Sequence, residues 1–226
     1  MAVFLYPKVS HTRKLNPRVF KRYQTYKRYL QAEFERVCVY CREPDTTSPN
    51  VNFGVDHYRP KSIPRFMALG CDYGNLYYCC GSCNSRKNSY WPSDEKNGPY
   101  VVNPCDHVMA KHLRFNSKTC EIEPLTPDGE HTKNLLQLNE PDTVAMRQSI
   151  LIQLESLDAL LKKYQTVLKN ARLKLNRNEI DQLKYDQVET TCRSQFIGID
   201  KARDRLTGKT PLPPLAKIRM SVQVLP

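Results

Sequence analysis

The segment Cys38-Val39-Tyr40-Cys41, answered after 38 intervening residues by Cys80-Gly81-Ser82-Cys83, decides how this chain is read. Each C-x-x-C turn brings two thiolates about 3.5–4 Å apart, and two turns complete a tetrahedral Zn²⁺ shell with no position left for water. Such a closed site is structural. One cysteine pair arises by chance or serves redox chemistry, whereas two pairs bracketing a short segment predict a zinc-clamped fold held by Cys38, Cys41, Cys80 and Cys83. Cys79 adjoins Cys80 and competes with it as ligand, although the spacing favours Cys80. Cys71, Cys105, Cys120 and Cys192 have no partner at metal-ligand spacing and read, with Cys79, as buried thiols.

Between the pairs, Val51, Phe53 and Val55 alternate with polar residues or glycine and predict a strand entering Asp56-His57, stopped by Pro60 and Pro64. Asn75-Leu76-Tyr77-Tyr78-Cys79 reads as the return strand, Gly81 as the turn, and about 83–90 as a short helix ended by Pro92. Strict alternation sends Asp56 and His57 to opposite faces. Both reach one ion only if the strand turns irregular there, as the following Arg59-Pro60 favours.

Outward from this segment, the chain of 226 residues has room for one domain or two small ones, and its 40% hydrophobic content is that of a globular protein. No apolar run reaches the roughly 18–20 residues of a membrane span, and Met1–Pro7 is too short for a signal-peptide core. A cytoplasmic protein is expected. Its 35 Lys and Arg against 23 Asp and Glu give +12, a surplus that favours polyanionic partners. Residues 1–32 carry eight basic and no acidic side chains, and Tyr23, Tyr26, Leu30 and Phe34 recur at helical spacing, predicting an amphipathic helix over about 17–37. Downstream, His112–Phe115 and Thr119–Glu123 flank Asn116-Ser117-Lys118 as a hairpin. Glu140-Pro141-Asp142 then opens a long helix with the apolar stripe Ile150, Leu154, Leu157, Leu161, Tyr164, Leu168, Ala171. Tyr185, Val188, Cys192, Phe196 and Ile199 mark a second helix, antiparallel to the first and packed on the body or on another subunit. Pro211, Pro213 and Pro214 predict an extended tail. The expected class is α+β: a basic helical arm (1–36), a zinc-clamped core (37–95), a connecting hairpin and helix (96–140), a helical hairpin (141–206) and the tail (207–226).

The order Cys-x-x-Cys, Asp56-His57-x-x-Pro60, Asn75-Leu76, Cys-x-x-Cys83-Asn84-x-x-Lys87 resembles the HNH endonuclease family over about 38–91. The resemblance implies a ββα-metal core around one catalytic divalent ion, Mg²⁺ or else Mn²⁺ or Ni²⁺, with structural Zn²⁺ at the periphery. It implies that His57 is the general base, that Asp56 and Asn84 are ligands to the catalytic ion, and that Asn75 braces the loop carrying the base. Asn84 stands where the family's name has its last histidine; several branches carry asparagine there, which bears on the preferred ion. Cutting a phosphodiester needs an activated water, a group to take its proton and positive charge at the phosphate, and a histidine with an ordinary pKa near 6.5 suits the second task. Arg59, Lys61, Arg86 and Lys87 flank the motif as expected contacts to nucleic-acid phosphates. Tyr26-Lys27-x-Tyr29-Leu30-x-x-Glu33-Phe34, Tyr90-Trp91-Pro92, Val102-Asn103-Pro104-Cys105 and Leu136-x-Leu138-Asn139 extend the match to about 25–150. There the chain looks like the standalone bacterial HNH proteins found with retrons and Septu-type anti-phage systems. That implies a defence effector acting on DNA more readily than RNA, restrained by self-association or by a separate ATPase docked on the C-terminal helices, since this chain has no G-x-x-x-x-G-K-[ST]. The competing readings are a non-catalytic zinc module that only binds nucleic acid and a restriction-type HNH nuclease.

Overall fold

The computed structural model describes residues 3–47 and 52–212. One 3-10 turn (Tyr23–Tyr26) leads into α1 (Lys27–Glu33), which is much shorter than the helix expected over 17–37. The reason lies in where the preceding backbone finds its partners. Residues 3–22 form no regular element, and the Lys14 and Leu15 amides donate to the Glu33 carboxylate at 2.8 and 2.9 Å instead of to carbonyls four residues back. The His11 amide likewise donates to the Pro104 carbonyl at 2.6 Å.

Strands β1 (Phe53–His57) and β2 (Leu76–Cys80) pair antiparallel in unbroken register, from Phe53 opposite Cys80 to His57 opposite Leu76. Two 3-10 segments, Pro64–Cys71 and Tyr73–Asn75, fill the connection. Helix α2 (Gly81–Lys87) follows β2 without a loop. Gly81 permits that junction, because a Cβ there would lie 2.9 Å from the Asn52 carbonyl oxygen. Asn88, with φ of +46°, terminates α2 well before Pro92.

Beyond the ββα unit come α3 (Met109–His112), the hairpin β3 (Leu113–Asn116) and β4 (Glu121–Pro124), and α4 (Pro127–Leu135). The hairpin lies where the sequence puts it; α3 and α4 have no clear apolar period. Thr126 caps α4 by accepting from the Gly129 amide, with Pro127 at the first helical position. One core runs through the whole body and joins Leu30, Tyr40, Leu76, Tyr78, Val102, Met109 and Leu136 to Ile150 and Leu154.

Ile150 and Leu154 belong to α5 (Pro141–Asn176), which forms an antiparallel pair with α6 (Gln182–Thr207). Arg147 pins α5 to the body: fully buried, it donates to the Cys120 carbonyl at 3.1 Å and to the Leu138 carbonyl at 2.6 Å. Gly208, at φ of +76°, caps α6 in the left-handed conformation that favours glycine. Val51 and most of the expected tail, including Pro213 and Pro214, lie outside the described residues. Among the described residues no helix is long and apolar enough to cross a membrane.

Candidate metal centre and histidine site

Cys38, Cys41, Cys80 and Cys83 are all buried, and their sulfurs lie within 4.8 Å of one another. A turn brings the first two together, with the Arg42 amide donating to the Cys38 carbonyl and the Cys38 amide to Glu43. Cys80 is the N-cap of α2 and Cys83 falls in its first turn, so the β2–α2 junction sets the second pair. Burial opposes ionisation, yet hydrogen bonds from the other three cysteines hold the Cys38 thiol well below its ordinary value, and the hydrogen bond and charge at Cys38 push Cys41 and Cys83 up. Four sulfurs gathered this closely are a donor set that fits a structural metal such as zinc, which binds thiolate and drives off the thiol protons. Cys79, next to Cys80, belongs to no such cluster among the described residues.

His57 closes β1 between Tyr23 and Gly70, contacts that the sequence does not foresee. Its ring meets the edge of Tyr23 at 4.6 Å, and its Nε2 lies 2.9 Å from the Gly70 carbonyl oxygen. A carbonyl oxygen only accepts, so Nε2 carries the proton and the lone pair sits on Nδ1. Burial pushes the His57 pKa below 6.5, and the Lys61 and Lys87 ammonium charges act in the same direction. The buried imidazole is neutral at pH 7, and among the described residues its Nδ1 has no hydrogen-bond partner.

Asn75 fixes the turn beyond that histidine. Its Oδ1 accepts from the Arg59 amide at 2.8 Å, its Nδ2 donates to the Arg59 carbonyl at 3.0 Å, and its own carbonyl accepts from the Tyr58 amide. Buried Asn75 thereby clamps both backbone groups of the residue two positions after His57.

Asp56 is placed differently from the sequence expectation. The strand stays regular through His57, so the two side chains take opposite faces. Asp56 is 2% exposed; its oxygens accept from the Tyr40 hydroxyl at 2.6 Å and from the Lys87 ammonium at 3.0 Å. Lys87, 1% exposed, also donates to the His57 carbonyl at 2.8 Å. Lys87 is therefore no phosphate contact: its position on α2 turns it inward, where its charge answers Asp56. Arg86 is likewise engaged, donating to the Leu136 and Gln137 carbonyls and pairing with Glu140, so it ties α2 to the start of α5. Asn84 sits in the middle of α2 beside Gly54, half-exposed, with its Nδ2 3.6 Å from where a Gly54 Cβ would stand.

Of the four expected phosphate contacts, Arg59 and Lys61 remain exposed and flank the histidine. The Arg59 guanidinium lies 5.8 Å from the Trp91 ring, and the Lys61 ammonium 4.1 Å from that of Tyr23, the ring that meets His57. Tyr23 and Gly70 reach His57, and Tyr40 reaches Asp56, from distant parts of the chain, and nothing in the local sequence marks these contacts. No family model, curated protein or solved structure matches this chain.

Proposed function

We propose that the chain is an HNH-type endonuclease whose general base is His57. The observation carrying this reading is the tautomer: the Gly70 carbonyl holds the proton on Nε2, and Nδ1 is left as a neutral-pH base beside two exposed cations. In the proposed reaction Nδ1 takes a proton from water as the water's oxygen attacks phosphorus, and the P–O bond to the leaving oxygen breaks as that oxygen takes a proton from solvent. Arg59 and Lys61 hold the flanking phosphates, and Asn75 keeps the turn after the base from drifting. DNA is the proposed substrate.

Mg²⁺, Mn²⁺ or Ni²⁺ on Asp56 and Asn84 belongs to the same family pattern. The donor set as arranged does not fit such an ion. Both Asp56 oxygens already accept, one from an ammonium that supplies the countercharge, and the group is shut off from water. Cleavage assays with chelator and with each of the three ions establish the requirement directly.

Because neutral His57 is the active form and its pKa is lowered, kcat/KM should stay flat through pH 7 and fall only below pH 6.5. An acid limb centred above 6.5 excludes His57 as the base. His57→Ala that still cleaves at the wild-type rate does the same.

A further inference from the structure

The C-terminal hairpin is polarised in charge. Its base on α5, residues 141–158, holds Asp142, Glu155 and Asp158 against Arg147 alone, and most of α6, residues 185–207, carries four acidic and four basic residues. The tip between them, residues 159–184, carries seven basic residues against Glu179 and Asp181. A helix pair that needed charge only for solubility would not segregate it this way.

The tip also stands clear of the body. Leu154 is the last α5 residue in the main core and the chain does not rejoin it until Leu206, so α5 runs on for about 22 residues, or roughly 33 Å, past the core. The seam of this extension is Ala171, Tyr185, Cys192 and Ile199, all buried between the two helices. Lys162, Lys163, Lys169, Arg172, Lys174 and Lys184 are exposed, and among the described residues none of them makes an ion pair. Lys162, Lys169 and Arg172 follow one another at spacings of seven and three, which places them along one edge of α5 over about 15 Å.

We infer that this tip is a second nucleic-acid contact, an arm that lies along the phosphates of a duplex apart from the histidine site. Five of its seven cations are lysines, the residue depleted in protein–protein interfaces, and flexible ammonium groups suit a repeating phosphate backbone. An acidic protein partner would call for arginine and aromatic anchors at the centre of the contact. The inference deepens the nuclease reading and rests on it for the choice of polymer.

The test uses the full chain and a fluorescent DNA duplex of about 30 base pairs, titrated between about 50 and 200 mM salt. The triple variant K162A/K169A/R172A should keep the wild-type melting temperature, since all three side chains are exposed. It should lose about three phosphate contacts, making the log K against log salt slope shallower by about 2.7, so that the wild type loses about 40-fold more affinity than the variant across that range. His57→Ala should bind with the wild-type slope. A wild type that shows this difference but cuts nothing leaves the arm standing and removes the nuclease reading. Equal affinity and slope for wild type and triple variant overturn the arm, as does a tip that loses only binding to polyglutamate.

Discussion

Replacing Lys87 by methionine separates two incompatible roles for that side chain. In the structure the substitution removes the ammonium 3.0 Å from Asp56, leaving a carboxylate at 2% exposure with the Tyr40 hydroxyl as its one remaining hydrogen-bond partner among the described residues. Breaking a buried pair from one side costs about 3–5 kcal/mol, and the lost bond to the His57 carbonyl adds about 1 kcal/mol. At about 2–4 °C per kcal/mol for a chain of this size, the melting temperature should drop by about 8–24 °C. Trp91, the one tryptophan, packs edge-on against Tyr58, Phe66 and Tyr100, so its fluorescence follows urea unfolding of this region. The double variant D56N/K87M carries no orphaned charge and should recover at least about 2 kcal/mol of the loss. If K87M is instead within about 1 kcal/mol of wild type and binds DNA with a shallower salt slope, Lys87 faces phosphate and the inward pairing is wrong.

Three further outcomes follow from other parts of the structure. Chelator-free protein should contain about one zinc per chain, and Cys38→Ser or Cys80→Ser should lose both the metal and much of the stability; unchanged zinc content in both variants removes the metal centre. Glu33→Gln should cost about 1–3 kcal/mol and open residues 11–15 to proteolysis, because that buried carboxylate accepts from His11, Tyr73 and the Lys14 and Leu15 amides. Burial alone would raise the Glu33 pKa, but these donors hold it below 4.5, so its contribution is present above pH 4.5 and fades as pH falls through the lowered value; a wild-type advantage that persists undiminished in strong acid contradicts the assignment.

The four-cysteine cluster and the strand order were legible because short sequence signals mark both. Cysteine spacing fixes which sulfurs meet, and the alternation of Phe53 and Val55 fixes the register that follows. The long helices were legible through their apolar period. The same alternation rule that located β1 also says Asp56 and His57 diverge, and the structure follows the rule where the family pattern needs an exception. Tyr40, Lys87 and Gly70 were not legible in their roles, since each acts through a tertiary contact with no sequence period behind it. Lys87 read as a phosphate contact because it lies inside the motif; only the packing of α2 against β1 turns it inward. The N-terminal segment failed as a helix for a related reason, since Glu33 gives its amides a partner that propensity alone does not foresee.

The central claim is that His57 serves as the base for phosphodiester hydrolysis. Its most direct test is a cleavage time course with wild-type protein and His57→Ala, prepared in parallel, on supercoiled plasmid, linear duplex and single-stranded RNA, each with chelator, Mg²⁺, Mn²⁺ or Ni²⁺. Wild type should cut DNA, while His57→Ala should bind with unchanged affinity and salt slope but be slower by about 10²–10⁴-fold, the usual contribution of a positioned general base. A wild type that binds nucleic acid but cuts none of these substrates under any of these conditions contradicts that claim and leaves a zinc-clamped binding module.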